Sequence, residues 1–265
     1  MRFIATADWQ LGMPAAFLPD EARARFQHAR IEVVRGIGAV AARHDADFVV
    51  VCGDVFDSNQ LDRAVIARAA DALRDVPCPV HLLPGNHDPL DAASILRSDE
   101  FARAMPDHVH VLDTPGPVEV LPGIDLVVAP WFTKFPLSDL VADVLADLDP
   151  DPARIRVLAG HGGLLGIDRT DPAAIDEAAL RAALDDRLVD VAVLGDRHSL
   201  TEVAPRLWYP GAPEVTRRRE VDPGHVLVVE VDDDSHEVAV TPERVGRWRF
   251  AVVEASAMSA RSRMR

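Results

Sequence analysis

The sequence contains few cysteines and no long apolar run. Its two cysteines, Cys52 and Cys78, show no CxxC spacing. They predict neither a disulfide framework nor a zinc knuckle, so we expect two free thiols. No window holds the ~18 uninterrupted apolar residues of a membrane span, and residues 2–7 follow a strand pattern instead of a signal peptide. We therefore expect a cytoplasmic protein with no membrane segment.

Positive charge is also scarce. The chain has 28 Lys and Arg against 43 Asp and Glu, which gives a net charge of −15. This balance argues against a broad basic surface that binds nucleic acid non-specifically, although a local basic patch is compatible with it. The 265 residues, 48% of them hydrophobic, are enough for a sizeable core. We expect one domain over residues 1–250 and a poorly ordered tail over residues 251–265.

Strand-like and helix-like stretches alternate along most of the chain. This order is typical of parallel strands with helices packed outside, and it predicts an α/β sandwich of two mixed sheets. Residues 108–129 and the runs 225–231 and 237–241 are expected to belong to the second sheet. Strands are also expected at 2–7, 48–52, 80–83, 155–159 and 189–194, and helices at 20–43 (with Asp20 as N-cap), 62–74, 94–104, 137–148 and 175–184.

Polar side chains follow five of the strand-like runs. Side chains beyond the carboxyl ends of strands gather in one crevice of an open α/β sheet. A single such loop is most often a turn or a helix cap, but five together favour a metal centre. Two divalent ions about 3.5–4 Å apart suit phosphoester hydrolysis. The candidates are Asp8 with Gln10, Asp54 with Asp57, Asn86 with His87 and Asp88, His161, and Asp196 with His198.

The motifs DxQ, GDxxD, GNHD, GH and GDxH, in this order, resemble those of the calcineurin-like metallophosphoesterases over roughly residues 1–231. Within that superfamily the GDVFDS loop, the DVAVLGDRH segment and the YPGAPE run are most similar to the bacterial SbcD and Mre11 nucleases. The resemblance implies an αββα sandwich with metals at the carboxyl ends of the strands. It also implies a DNA exonuclease or phosphodiesterase that works beside an ATPase partner similar to SbcC or Rad50.

The resemblance further implies a role for each motif residue. His87 would contact the phosphate and donate a proton to the leaving oxygen. Asp57 would orient His87 or, alternatively, cap a helix. Independently of the resemblance, Arg197 lies between two proposed ligands, so we expect it to contact a phosphate or, alternatively, to pair with a carboxylate. One metal would be held by Asp8, Gln10, Asp54 and His198, and the second by Asp54, Asn86, His161 and Asp196.

Two positions depart from the family pattern. Gln10 stands where the family has the histidine of DxH, and Asp196 stands where it has the first histidine of GHxH. Each change replaces a nitrogen ligand with an oxygen ligand, so His161 and His198 are the only predicted nitrogen donors. We expect this oxygen-rich set to prefer manganese or magnesium over zinc, and iron is a further possibility.

Three functions stay open from the sequence. The first is the DNA exonuclease. The acidic charge argues against it, and so does the length, because nucleases of that branch carry a further capping and partner-binding region that this chain ends too early to contain. A small-molecule phosphodiesterase or phosphatase is the alternative. A catalytically weakened binding module is the third. The run Arg217, Arg218 and Arg219 could hold a phosphate backbone, although the chain uses Arg almost to the exclusion of Lys.

Overall fold

A computed structural model describes residues 1–165 and 171–251. Within these residues the chain forms two six-stranded sheets and five α-helices, so the expected α/β sandwich of two mixed sheets is confirmed. The strands are Arg2–Thr6 (β1), Phe48–Cys52 (β2), Val80–Leu83 (β3), Val109–Val111 (β4), Gly116–Leu121 (β5), Ile124–Val128 (β6), Ile155–His161 (β7), Val191–Gly195 (β8), Thr201–Ala204 (β9), Leu207–Tyr209 (β10), His225–Val231 (β11) and Val238–Arg244 (β12). The helices are Asp20–Arg43 (α1), Arg63–Leu73 (α2), Asp99–Ala104 (α3), Leu140–Ala146 (α4) and Glu177–Asp185 (α5).

Each sheet has a parallel centre; both outer pairs of the second sheet are antiparallel, whereas the first sheet is antiparallel only on the side of β11 and β12. The first sheet has the order β12-β11-β1-β2-β3-β4, in which β1 to β4 are parallel. The second has the order β5-β6-β7-β8-β10-β9, in which β6, β7 and β8 are parallel. The five helices connect the parallel strands, as crossovers between parallel strands require. The carboxyl ends of the central strands in each sheet therefore lie at one edge.

The central strands are buried on both faces, which explains why they read as continuous apolar runs. Alternate side chains point to opposite faces, so Phe3 and Phe48 stack at 5.0 Å between ring centroids in the layer between the sheets. Ile4 and Val49 point the other way, into the layer beneath α1, α2 and α3. A third apolar layer lies between the second sheet and helices α4 and α5.

The expectation that residues 108–112, 225–231 and 237–241 belong to the second sheet is wrong. Strand β4 pairs in parallel with β3, because α3 makes the same kind of crossover as α1 and α2. Strand β11 pairs antiparallel with β1, where Leu227 and Val229 extend the apolar layer around Phe3. The hairpin of β9 and β10, which the apolar pattern does not indicate, forms the far edge of the second sheet.

Two helix starts also differ from expectation. Asp20 is the first residue of α1 and not its N-cap; Pro19 occupies the cap position, and the Asp20 carboxylate lies 3.1 Å from Arg23. The helix expected at 94–104 is divided into a 3-10 turn and α3. Ser98 starts the second part because its hydroxyl accepts a hydrogen bond from the backbone N–H of Phe101.

Three further expectations concern membranes, thiols and the tail. No helix in residues 1–165 or 171–251 is long and apolar enough to cross a membrane. Cys52 and Cys78 are free cysteines, and Cys52 is buried in β2. The expected tail at 251–265 lies outside the described residues except for residue 251.

His81 of β3 generates a prediction about stability and pH. It is buried against Phe48, and neither ring nitrogen has a hydrogen-bond partner in the described part of the chain. Burial, assisted by the nearby His110, lowers the pKa of His81 to about 4. An unfolded histidine titrates near pH 6.5. The free energy of unfolding therefore carries no penalty from His81 above about pH 6.5, and it decreases as the pH falls towards 4, because the unfolded state takes up the proton first.

We therefore expect His81→Phe to lose less free energy of unfolding than the unsubstituted protein between about pH 7 and pH 5. Urea denaturation at several pH values measures this difference. His28→Gln, on the exposed face of α1, is the control and should follow the unsubstituted protein. Equal losses in all three proteins would contradict the prediction.

Candidate metal centre

The predicted ligands lie where the carboxyl edges of the two sheets meet. Asp8, Asp54 and Asn86 follow β1, β2 and β3 of the first sheet. His161 ends β7 and Asp196 follows β8 of the second sheet. The sheets are joined at this edge, because the backbone N–H of Asp196 donates to Oδ1 of Asp8 at 3.1 Å.

Three of these side chains form a compact buried cluster. One ligand atom each from Asp8, Asp54 and His161 lies within 4.8 Å of the other two. The Asn86 Oδ1 lies 3.0 Å from Nε2 of His161, and Oδ1 of Asp54 lies 3.4 Å from the same nitrogen. Oδ2 of Asp8 is buried with no hydrogen-bond partner among the described residues. Because an unpaired buried carboxylate oxygen is costly, this donor set fits a bound cation.

The orientation of the Asn86 amide is informative. When the Asn86 oxygen points towards His161, it faces only hydrogen-bond acceptors, as ligand atoms around a metal ion do. With the amide rotated, its NH₂ group would instead donate to both Asp54 oxygens, at 3.2 and 3.3 Å, and to Nε2 of His161 at 3.0 Å. The same side chain can therefore hold the carboxylate of Asp54 through hydrogen bonds or serve as an oxygen ligand.

Hydrogen bonds to the side chain and to the main chain both hold His161 in place. Its Nδ1 donates to the carbonyl of Cys52 at 2.9 Å, which leaves Nε2 facing Asp54 and Asn86. The indole N–H of Trp131 donates to the His161 carbonyl at 2.8 Å, and the two rings meet edge to face. A second hydrogen bond of this kind orients a metal-binding histidine and selects its tautomer.

The pKa shifts at the cluster reflect burial and the charges of neighbouring groups. Burial is the main cause that raises the pKa of Asp8; His198 and His161 lower this pKa, and the carboxylates of Asp54 and Asp196 raise it. Burial lowers the pKa of His161, but the charges of Asp54 and Asp8 outweigh this effect and raise it to about 9. The upward shift of the His161 pKa shows that the buried carboxylates favour a positive charge beside them, which a metal ion would also supply.

His198 occupies the other side of Asp8 and is oriented by a carboxylate. Its Nδ1 lies 3.1 Å from Oε1 of Glu220 and 2.6 Å from the hydroxyl of Thr216. Its Nε2 lies 3.3 Å from the amide nitrogen of Gln10 and 3.9 Å from Oδ1 of Asp8. Burial lowers the pKa of His198, whereas Glu220 and Asp8 raise it, and the net shift is upward. Glu220 keeps the Nδ1 proton in place and turns Nε2 towards Gln10 and Asp8.

The backbone at the strand ends is strained. Asp8, Asp54 and Asp196 have φ angles of 54°, 55° and 90°. Residues other than glycine rarely adopt such angles, and each costs about 1–3 kcal/mol when it does. Gly195 precedes Asp196 because a Cβ there would collide with the carbonyl of Cys52 and the ring of His161. Strain of this kind is found mainly at functional sites.

Asp196 is the predicted ligand whose side chain does not join the buried cluster. Its carboxylate is exposed and lies beside Gly163, and its link to Asp8 runs through the backbone. An aspartate reaches less far than the imidazole of the usual GHxH pattern, which accounts for this position. Gln10, by contrast, is buried next to His198.

His87 lies at the mouth of the cluster with about a third of its side chain exposed. Its backbone N–H donates to Oδ1 of Asp54 at 2.9 Å, and its Nε2 lies 4.0 Å from Oδ2 of Asp54. Its Nδ1 donates to the backbone carbonyl of Asp57 at 2.9 Å. Asp57 thus orients His87 through its main chain and not through its carboxylate, whose pKa is raised by burial. The helix-cap alternative for Asp57 is wrong, because α2 begins at Arg63 and Asp62 caps it.

A cavity of about 430 Å³ opens over these groups. Asp54, Asn86, His87 and His198 line it, and the exposed side chain of Arg197 forms part of its wall. Arg197 makes no ion pair with a carboxylate of the described residues, so the pairing alternative for this residue is not observed. The arrangement can place an anionic group between Arg197, His87 and the buried carboxylate cluster.

Sequence reasoning missed several residues that hold the site together. Arg30 of α1 is buried and donates to the carbonyls of Trp9 and Val215, each at 2.8 Å. The sequence feature that could have indicated the burial of Arg30 is its position four residues after Phe26, on the apolar face of α1. The sequence predicted Asp88 as a candidate but did not show its role: it is buried and accepts from the backbone N–H groups of Phe56 and Gly85, and burial raises its pKa to about 7. Glu220 had no recognisable spacing to any motif.

Comparison with known proteins agrees with this architecture. The model of the calcineurin-like phosphoesterase family matches residues 1–229. The structure of TT1561 of Thermus thermophilus is similar with a TM-score of 0.52 and 10% identity, over 92% of this chain and 98% of that one. A dimetal phosphatase from Danio rerio is similar with a TM-score of 0.54 and 13% identity, over 92% and 96% of the two chains. At these identities the likeness shows a shared fold. A search of curated proteins found no match.

The contact between Glu220 and His198 generates a prediction. Glu220→Gln removes the charge that holds the Nδ1 proton, so we expect divalent-metal affinity to fall roughly 10- to 100-fold. Titration calorimetry with Mn²⁺ measures the loss. Glu202→Gln makes the same change on the exposed side of β9 and should leave the affinity unchanged. Equal affinities in the two variants would show that Glu220 does not support a ligand.

Proposed function

Because this chain belongs to the calcineurin-like phosphoesterase family, we propose that it hydrolyses a phosphoester bond with the help of two divalent metal ions. Members of this family depend on two metals. The observation that carries the proposal is the buried cluster of Asp8, Asp54 and His161, in which Oδ2 of Asp8 has no partner among the described residues. We further propose that residues 1–250 form a single catalytic domain.

The two metal sites would share the carboxylate of Asp54, which follows the central strand β2 and whose Oδ1 lies 3.4 Å from Nε2 of His161. When bound, two such ions supply a nucleophile at neutral pH and offset the charge of the phosphate oxygens. We assign one ion to Asp8, Gln10, Asp54 and His198, and the other to Asp54, Asn86, His161 and Asp196. Asp196 is the outermost member of the second set, since its carboxylate is exposed.

The groups at the cavity mouth suit the protein's own part in the reaction. With Nδ1 of His87 donating to the carbonyl of Asp57, Nε2 faces the cavity, and the doubly protonated ring gives its Nε2 proton to the leaving oxygen and keeps the Nδ1 proton. Arg197, on the cavity wall, donates to the phosphate oxygens as their charge increases. Asp57 acts as a positioning residue for His87, through its main chain.

For the substrate we propose a phosphodiester, and first of all DNA, with the chain acting as an exonuclease of the SbcD and Mre11 kind beside an ATPase partner. The support is the similarity of the GDVFDS, DVAVLGDRH and YPGAPE segments to that branch. The second candidate is a small-molecule phosphodiesterase or phosphatase. The net charge of −15 favours it, because a long polyanion is repelled by an acidic surface.

The activity itself is tested with chromogenic esters. We expect the protein with Mn²⁺ to hydrolyse bis-p-nitrophenyl phosphate, and His87→Ala to lower kcat about 10²- to 10⁴-fold because the leaving oxygen loses its proton donor. His28→Ala on the exposed face of α1 is the matched control. Equal turnover by the two variants would remove His87 from the reaction.

The same assay separates the candidate functions. Release of 3′-end label from duplex or single-stranded DNA would support the nuclease, and rapid diester turnover without DNA cleavage would end that proposal. Faster turnover of p-nitrophenyl phosphate than of the diester would favour a phosphatase. If the protein hydrolyses none of these esters, the binding module is the remaining candidate.

The donor set also predicts the metal. Five of the seven proposed ligands offer oxygen, because Gln10 and Asp196 replace histidines of the usual pattern. We expect protein purified without chelator to contain manganese or magnesium in place of zinc, as measured by elemental analysis. The double substitution Gln10→His with Asp196→His should shift the preference towards zinc. Two bound zinc ions with full activity in the unsubstituted protein would contradict the prediction.

A further inference from the structure

Three arginines surround the opening of the metal-centre cavity. Arg197, Arg217 and Arg219 all line it, and all three are exposed. The ion pairs among the described residues involve other arginines, such as Arg35 and Arg154, and none involves these three. The carboxylates of Asp54, Asp196 and Glu220 line the same cavity, and Glu220 is engaged by His198. Because no carboxylate of the described residues pairs with the three guanidinium groups, these groups remain available to an external anion.

The segment that carries Arg217 and Arg219 is fixed to the metal centre. Glu220 accepts from the backbone N–H groups of Thr216 and Arg217, at 2.8 and 2.9 Å, while its carboxylate also contacts Nδ1 of His198. The turn is therefore anchored by the same carboxylate that orients a proposed ligand. Arg217 and Arg219 line the cavity, and Arg218 between them does not.

These two arginines reach the cavity from a different segment than Arg197. Arg197 follows β8, next to the proposed ligands, and is already assigned to the phosphate that reacts. Arg217 and Arg219 belong to the turn after β10, on the Glu220 side. A guanidinium recognises phosphate through a planar pair of N–H donors, so two of them on one wall suit a further phosphate group.

We propose that Arg217 and Arg219 form a second anion subsite, which binds a phosphate other than the one that is hydrolysed. The preferred substrate then carries at least two phosphate groups. This inference rests on the proposed phosphoester hydrolysis and narrows its substrate. The second phosphate can come from the next nucleotide of a polynucleotide or from the neighbouring phosphate of a nucleoside diphosphate.

Three p-nitrophenyl esters that differ in one phosphate test the subsite. The ester of thymidine 5′-phosphate has a single phosphate. Its 3′-phosphorylated form adds a phosphate one nucleoside away, and the ester of thymidine 5′-diphosphate adds an adjacent one. We expect one of the two larger esters to exceed the smallest by about tenfold in kcat/KM, mainly through KM, since a charge-assisted hydrogen bond contributes on that scale.

Variants assign that preference to residues. In Arg217→Gln with Arg219→Gln the preference should fall to about one, whereas Arg218→Gln, the neighbour outside the cavity, should keep it. Preference for the 3′-phosphate would identify a polynucleotide, and preference for the diphosphate a nucleoside diphosphate. If the double variant lowers kcat/KM for all three esters by the same factor, the subsite is overturned, since the arginines would then only offset the negative charge of the metal centre.

Calorimetry separates the failure of this inference from failure of the proposed function. Thymidine 3′,5′-bisphosphate or thymidine 5′-diphosphate should bind about tenfold more tightly than thymidine 5′-phosphate, and the double variant should lose this difference. Turnover without any two-phosphate preference, in kinetics and in binding, would overturn the subsite and leave the hydrolase. Selective binding without turnover would keep the subsite and overturn the hydrolase.

Discussion

The buried carboxylates of Asp8 and Asp54 are the constraint on which the rest of the structure depends. Burying such groups without compensation is expensive. Within the described residues their ion-pair partners are the histidines His87, His161 and His198. The strand order, the tight glycine turns and the edge-to-edge meeting of the two sheets all serve to bring these acids and imidazoles together. Binding of divalent cations would compensate this concentrated negative charge and would explain why the two carboxylates are buried together.

Local patterns in the sequence predicted the parts of the site that depend on local structure. An apolar run followed at once by a polar residue, as in Ala-Asp, Gly-Asp, Gly-Asn-His or Gly-His, indicates both a buried strand and the polar group at its end, so Asp8, Asp54, Asn86 and His161 were placed at one edge. Non-local partners were missed, because β11 has no feature that distinguishes pairing with β1 from pairing in the other sheet. The contact of His87 with the Asp57 carbonyl was also invisible, because every residue has a carbonyl and no side-chain pattern reports its direction.

Arg30 illustrates a different way of holding a charged site together. Its guanidinium contacts the carbonyls of Trp9, Glu214 and Val215 and lies over the ring of Phe26. Burial lowers its pKa to about 10, which still leaves it charged at neutral pH. Its hydrogen-bond acceptors are carbonyl oxygens. Arg30 therefore joins the loop of Gln10 to the loop that precedes the Glu220 turn without forming an ion pair with a carboxylate. The acids near the cavity therefore stay available for metals.

The pairing of β1 with β11 has a consequence for the order in which the molecule can be completed. Ile4 lies opposite Val228, so one neighbour of an early strand is a strand that leaves the ribosome much later. Until then β1 has an unpaired edge, and exposed edges of apolar strands readily join other chains. Long-range pairing of this kind also slows folding. The first sheet of this protein thus cannot be completed until residues 225–231 have been synthesised, and we expect its unfinished edge to be exposed during that interval.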